Sequence, residues 1–390
     1  MFNRSFWRKL TLLLSSMMTM MAGAVVAPAL PQMNRVFVEV PMADVLTRLI
    51  ITLPALFIAF ISPLAGYITD TFGRKKLLLF SLVIYFVGGT SGYYLDSLYL
   101  ILVGRAVLGI AVAGIMTTVT TLIGDYYQGE ERNAFMGMQG AFMGLGGVFF
   151  IFFSGILADI NWQLPFTIYG FSVPVFVMAL VFILEPRITS AGSQHAVSVT
   201  EYDKKTVFAL YVIVFLAIVC FYMVPVQLPF LLSTMEGVNN TITGMTISIS
   251  TLFGAIISMM YRRIKRRFSF KTIYMFAFLL MGIGFFAISY AQDYKFVMLS
   301  MIISGLGTGL LMPTGNLWLM KLAPESLRGR LIGRLSTSMF IGMFVSPLLV
   351  QPLVDRFEIG GAFFVGSIFL FLLTLVFFFW SLKESFQNDR

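Results

Sequence analysis

Residues 66–76 read Gly66-Tyr67-Ile68-Thr69-Asp70-Thr71-Phe72-Gly73-Arg74-Lys75-Lys76, a polar stretch set between two long apolar runs, one ending near Gly66 and the next beginning near Leu77. A glycine, an acid one helical turn later and then Gly-Arg-Lys-Lys predict a tight turn between two membrane-crossing helices. Glycine permits close helix approach and a sharp reversal. The basic cluster pins the turn to the cytoplasmic side.

Composition supports a membrane setting for that turn. The chain has 390 residues, 58% hydrophobic and 12% charged, where soluble domains carry about 25% charged residues. A soluble fold of this length has no means of covering so much apolar surface, so the chain is an integral membrane protein. Long apolar runs recur between short polar breaks, which is the pattern of an all-α helical bundle and not the alternation of a barrel. The single cysteine, Cys220, lies inside an apolar run, and the single histidine, His195, in a polar one. An internal disulfide and a cysteine-based metal site are thereby excluded, a zinc or haem enzyme is disfavoured, and no cofactor is expected.

The net charge of +9 follows from topology and calls for no nucleic-acid partner. Of the 27 Lys and Arg residues, all fall on one side except Arg35, Lys295 and Arg356 on the other and Arg48 and Arg105 within helices. By the positive-inside rule this places both termini in the cytoplasm.

In chain order, Arg4, Arg8 and Lys9 precede an apolar run over residues 10–30. It is read as a first span and not a cleaved signal peptide, despite Ala22-Gly23-Ala24, because it is long enough to cross and the remaining topology needs it. Residues 31–43 form the first outside loop. Further spans are expected over residues 44–68, 77–93, 98–124, 134–157 and 164–184. Residues 185–204 are the one sustained polar stretch, read as a cytoplasmic linker. Six more runs follow over residues 206–232, 241–261, 272–291, 296–320, 331–353 and 361–382. The expectation is twelve transmembrane helices in two pseudo-symmetric six-helix bundles, residues 1–184 and 205–390. An internal repeat agrees: one constant shift carries Gly109 onto Gly305, Arg132 onto Arg328, Gly137 onto Gly333, Asp159 onto Asp355 and Gly170 onto Gly366. Two copies of a six-helix unit predict such a shift of half a chain. In the second copy Asp70 is replaced by Arg266.

The stretch at residues 66–76, at its place between the second and third spans, resembles the signature loop of the major facilitator superfamily, G-x-x-x-D-x-x-G-R-(R/K). The resemblance extends over the whole chain through the twelve spans, the middle linker and an arginine motif in the fourth span, Arg105-x-x-x-Gly109. It implies alternating access about a central cavity, with a monomer and a small-molecule substrate in a lipid bilayer. It also implies an inner gate of Gly66, Asp70, Gly73, Arg74 and Asp125, braced in one state against the start of the eleventh span near Arg330 and Arg334. An ion pair at a helix end that forms in one state and breaks in the other biases a two-state equilibrium. The alternative is a basic loop that sets topology and gates nothing.

Arg105 carries a cost on the order of 3 kcal/mol by insertion scales, so it should face the bundle interior and have a partner. In the resembled family its motif is linked to proton coupling. A snorkelling interfacial arginine is the alternative. In the fifth span, Gly140, Gly144, Gly146 and Gly147 resemble the antiporter motif, with Leu145 where proline is expected; ordinary small-residue packing explains them equally. Proton coupling needs a carboxylate that is alternately buried and exposed. Gate acids apart, the acid near a membrane segment is Asp44, which shares a helix face with Arg48. A solvated interfacial pair is the alternative.

Candidate cavity residues are Met20, Gln139, Tyr222, Gln227, Asn316 and Trp318, uncharged and fitted to bulky apolar or amphiphilic solutes; in so Met- and Phe-rich a chain the alternative for each is a packing residue. The sequence reads as a non-enzymatic, proton-coupled exporter of drug-like molecules in the bacterial cytoplasmic membrane, with protons as the coupling partner. Export of an endogenous metabolite such as a siderophore or lipid-like molecule, an uncoupled facilitator, and a non-transporting sensor on the same fold are the other readings.

Overall fold

The computed structural model describes residues 4–186, 202–324 and 327–388, and regular structure among them is helical throughout. α1 (Arg4–Ala24) passes through a 3-10 turn at Ala27–Ala29 into α2 (Leu30–Val36). The loop expected from residue 31 therefore starts as helix. Pro28 and Pro31 sit at first-turn positions, where the fixed φ of proline suits a helix and its missing N–H costs nothing.

α3 (Ala43–Phe72), α4 (Arg74–Tyr94), α5 (Leu98–Tyr126) and α6 (Gly129–Ile160) follow, then a 3-10 stretch at Leu164–Phe171 that leads into α7 (Ser172–Phe182). The later helices are α8 (Lys204–Leu232), α9 (Asn240–Lys265), α10 (Phe270–Ser289), α11 (Tyr294–Leu322) and α12 (Arg328–Asn388). Residues 187–201, which hold His195 and most of the expected linker, lie outside the described residues.

Among the described residues, eleven segments are long and apolar enough to cross a membrane. The last, Arg328–Leu382, counts 55 residues, roughly 80 Å if straight, against a hydrocarbon core of about 30 Å. It breaks at Glu358, whose φ of 60° and ψ of 177° are not helical, and so supplies two crossings. Twelve crossings result.

The helices gather into two compact units. One takes in Met1–Gln194 together with Asn239–Gly244, and the other His195–Val238 with Met245–Arg390. The head of α9 thus belongs with the first unit.

In the first unit α3 and α4 pack on α5, α1 packs on α6, and α4 meets α7 and the 3-10 stretch before it. Many of the residues that α4 turns inward are small, beside the larger Leu78, Leu82 and Tyr85. α4 buries Ser81, Gly88, Gly89, Ser91 and Gly92 and turns Phe80, Val83, Phe86 and Val87 outward. Lipid solvates large apolar side chains as well as a core would, so close backbone approach and not hydrophobic burial drives this packing. Gly109 shows the need: a Cβ there would stand 2.4 Å from the Pro54 carbonyl oxygen of α3. Hydroxyls tie the helices further. Tyr85 donates to the Met18 carbonyl at 2.8 Å and Tyr169 to that of Met21 at 3.3 Å.

The second unit has an aromatic core in which α10, α11 and α12 meet. Tyr274, Phe278 and Phe377 pack ring against ring, and Phe285 meets Phe363 edge-on. Ser338 and Ser346 of α12 donate to the Tyr211 and Val219 carbonyls of α8 at 2.7 and 2.8 Å. α8, α10 and α11 start on side-chain caps. Asp203 accepts from the Lys205 and Thr206 amides of α8, and the Thr206 bonds hold its carboxyl below the usual carboxylate range.

Candidate functional site

Gly73 ends α3 and begins α4 in one residue, with φ at 101° and ψ at 149°, a conformation that disfavours any side chain. That reversal puts Arg74 in the first turn of α4, pointing back at the end of α3. Its guanidinium is buried. Nε donates to Asp125 Oδ2 at 3.1 Å, Nη2 lies 3.3 Å from Asp70 Oδ1, and Nη1 donates to the Thr69 carbonyl at 3.3 Å. Asp70, Gly73, Arg74 and Asp125 are therefore assembled at one end of the first unit. Asp70 is the exposed member, at 71% against 30% for Asp125. It stays wet while the arginine does not. Gly66 stands apart, and a Cβ there would meet nothing within 4 Å.

A fifth member went unread in the sequence. Glu185 accepts from the Arg74 amide at 2.6 Å and from the Lys75 amide at 2.9 Å. These are orphan donors of α4, and a carboxylate over them also meets the positive end of the helix. Lys75 Nζ donates to the Leu180 carbonyl at 2.7 Å. Tyr126 donates to the Leu184 carbonyl. In the sequence, Glu185 reads as the first residue of the linker. Its signal was an acid directly before Pro186 at the end of a span, which composition alone reads as loop. The same end receives α1: Lys9 pairs with Glu131 at 3.0 Å, and the Arg8 guanidinium lies 4.5 Å from the centre of the Tyr126 ring.

At the other end of α5, Arg105 is 1% exposed. Nη2 donates to the Gly88 and Gly89 carbonyls at 3.0 and 2.5 Å. The Phe166 and Tyr169 ring centres lie 4.9 and 4.8 Å from its guanidinium carbon. Among the described residues no carboxylate pairs with it, and Nε has no acceptor. Carbonyl dipoles and π faces carry the charge instead. The interior position matches the expectation; the partners are backbone and rings. This cage fixes which glycines matter: a Cβ on Gly89 would stand 2.5 Å from Tyr169 Cβ, and one on Gly92 2.2 Å from the Phe166 ring.

Asp44 lies in the first turn of α3 and is 67% exposed. Asn34 of α2 donates to Asp44 Oδ1 at 2.9 Å. The buried Arg48 donates to the Asp44 backbone carbonyl at 2.6 Å, with the carboxylate farther away at 3.8 Å. Asp44 is not alone among acids at span ends. α6 runs to Ile160, so Asp159, counted outside the fifth span, stands in its last turn.

Of the fifth-span glycines, Gly146 is tightly constrained, since a Cβ there would come 2.3 Å from Met17 Cγ of α1. A Cβ on Gly140 would meet nothing within 4 Å; Gly147 is buried and Gly144 half-buried. The cavity candidates divide by surroundings. Met20 and Asn316 are exposed. Gln139 is half-buried and donates to Ser16 Oγ at 2.9 Å, joining α6 to α1. Tyr222 and Gln227 are buried in α8. Trp318 is buried, stacked on Phe270 at 5.9 Å and against Tyr274 and Trp380, which makes it part of the aromatic core. Among the described residues no group of acids, histidines or cysteines is placed to hold a metal.

The sequence profile of the Major Facilitator Superfamily matches residues 12–269 and again 210–390. The chain belongs to the Major Facilitator Superfamily. It is 26% identical over 380 residues to the bacillibactin exporter of Bacillus subtilis (strain 168), which covers 91% of this chain and 93% of that protein. It is 24% identical over 302 residues to the quinolone resistance protein NorA of Staphylococcus aureus (strain COL), covering 76% and 77%. A solved bacterial homologue of the human lysosomal transporter Spinster, inward-facing and occupied, superposes with a TM-score of 0.80 at 16% identity over 98% of this chain and 97% of that one. A D-xylose-proton symporter superposes at 0.77 with 18% identity, over 96% and 97%. At such identities the two structures bear on the fold alone.

Within the superfamily this chain is a multi-pass membrane transporter for small molecules and not an enzyme. The side chains agree with that. Two of the first unit's charge clusters lie around Arg74 and around Arg105. Neither holds a nucleophile beside a base. What they offer is a pair of electrostatic ties between helices, the kind of element whose making and breaking biases a conformational equilibrium.

Proposed function

We propose that the chain exports amphiphilic, drug-like organic molecules in exchange for protons, as a monomer in the bacterial cytoplasmic membrane with both termini in the cytoplasm. The observation that carries this reading is the likeness to two exporters over 91% and 76% of the chain. The cycle is alternating access by residues 1–184 and 205–390 about the linker 185–204. The Arg74 cluster serves as the inner gate: its buried arginine is tied to one shielded carboxylate and one exposed one, so a modest change in helix position breaks it. Asp44 carries the proton, with Arg105 supporting coupling from within the same bundle. The exposure of Asp44 and its bond from Asn34 support a water-facing site. Met20, Gln139, Tyr222, Gln227 and Asn316 are the cavity contacts.

The test uses purified protein in sealed liposomes with a pH-sensitive dye inside, under an imposed proton gradient. The parent and Asp44→Asn are compared on a panel of lipophilic cations and metal-chelating metabolites. Substrate-driven proton movement in the parent alone supports antiport through Asp44. Substrate crossing without proton movement in either protein makes it a facilitator. A second reading, export of one endogenous metabolite, is favoured by the longer of the two matches, to a protein named for bacillibactin alone. A response confined to the metabolites in that panel would select it.

A further inference from the structure

The head of α9 is held by a carboxylate from another helix. Asp159, in the last turn of α6, accepts from the Asn240 amide through Oδ1 at 2.7 Å and from the Thr241 amide through Oδ2 at 3.0 Å, and the Thr241 hydroxyl bonds Oδ2 as well. The next two donors of α9 are met from its own side. Ile242 N–H donates to Asn239 Oδ1 at 2.9 Å, and Thr243 N–H to the Asn239 carbonyl at 3.1 Å. Every first-turn amide is therefore accounted for, half by Asn239 within the chain turn and half by Asp159 across it. The two helices also touch at backbone distance. A Cβ on Gly155 would stand 2.5 Å from the Asn240 carbonyl oxygen, and one on Gly244 2.8 Å from that of Ile151. Asn239–Gly244 accordingly goes with the first compact unit while the rest of α9 goes with the second.

We propose that Asp159 is a positioning residue for the transport cycle, a releasable cap that keeps the head of α9 with α6 in one conformational state and lets it go in the other. The chemistry suits release. An ordinary cap, such as Asn239, travels with its own helix and is kept whatever that helix does. A cap supplied by another helix is made only while the two stay together, so its free energy counts toward one state alone. Its bonds are charge-assisted and aim at the positive end of the helix dipole, which makes them stronger than amide–amide contacts. The glycines at Gly155 and Gly244 let the two backbones approach closely there with no bulky side chain between them. Asp159 stands at the opposite end of the first unit's helices from the Arg74 cluster: α5 and α6 meet at Tyr126 and Gly129 beside that cluster, and α6 then runs its full length to Asp159.

The test reads geometry and needs no substrate, so it stands or falls apart from the export reading. In full-length protein in liposomes with Cys220→Ser, spin labels are placed on cysteines at the exposed Ile160 and Met245, and the distance distribution is measured. Asp159→Asn should move the ratio of separated to capped populations at least tenfold toward separation. Gly155→Val should do the same by steric means. Asp159→Glu, which keeps the charge, should restore at least part of the capped population. Asn239→Ala, which removes only the cap on α9's own side, should leave the distribution unchanged. An unchanged distribution in Asp159→Asn overturns the proposal. So does an equal shift in Asn239→Ala, since simple fraying of the helix then explains both.

Discussion

Arg74 Nε lies 3.1 Å from Asp125 Oδ2, so a buried guanidinium at the start of α4 is fastened to the end of α5. Asp70, on the same guanidinium at 3.3 Å, is largely in water. The two carboxylates differ in what their removal does. Asp125→Asn leaves a buried cation short of its shielded partner and should cost about 1–3 kcal/mol of stability. Asp70→Asn removes an exposed pair, which contributes little to stability, yet it should abolish transport with expression intact. The check is a melting temperature in detergent beside initial transport rates in vesicles. Normal transport by Asp70→Asn would remove the gate assignment.

Glu185→Ala strips the side-chain cap from α4. Lost caps cost typically about 1 kcal/mol, so the variant should melt a few degrees lower. Glu185→Gln, which keeps one acceptor oxygen, should recover part of the loss. Hydrogen exchange of the first-turn amides of α4 should rise in Glu185→Ala. Unchanged exchange at Arg74 and Lys75 would mean that the cap is not formed in the membrane.

The crossing helices and the signature turn are readable because lipid demands long apolar runs, and a reversal between two of them leaves few choices but Gly73 and a basic cluster. What the sequence hides is who meets whom across the bundle. Glu185 looks like linker until α4 is seen beneath it. Asp159 looks like loop until α6 is followed to its end. Arg105 announces a buried charge, yet its partners are the carbonyls of Gly88 and Gly89 and the rings of Phe166 and Tyr169. Backbone oxygens leave no mark in a sequence. Trp318 had every attribute of a ligand contact by residue type. Its stack with Phe270 and its contact with Trp380 leave no mark in the sequence.

Around Arg105, glycine size is the constraint that decides the outcome of substitution. Gly92→Ala would press a methyl into the Phe166 ring and Gly89→Ala one into Tyr169, and overpacking of this kind costs typically about 1–3 kcal/mol. Gly140→Ala on α6 meets open space and should be neutral or slightly stabilising. Arg105→Lys keeps the charge but loses the planar face that lies against two rings, and should reduce transport more than it lowers the melting temperature. Parallel thermal melts and transport rates of the four variants test the ranking. Equal behaviour of Gly92→Ala and Gly140→Ala would contradict the cage.

Asn316 and Trp318 are two residues apart on α11 and should part company in every assay. Trp318 is buried among Phe270, Tyr274 and Trp380, and removing a large buried aromatic costs about 3–5 kcal/mol. Trp318→Ala should therefore express poorly or melt well below the parent, while Trp318→Phe retains most of the stability and the transport. Asn316 is exposed, so Asn316→Ala should leave the melting temperature within a degree or two. If Asn316 touches the transported molecule, Asn316→Ala should shift the concentration dependence of transport by several-fold and reorder preference within a panel of substrates. A transport change in Trp318→Phe that reorders preference, with stability intact, would instead return the tryptophan to the binding site and remove it from the core.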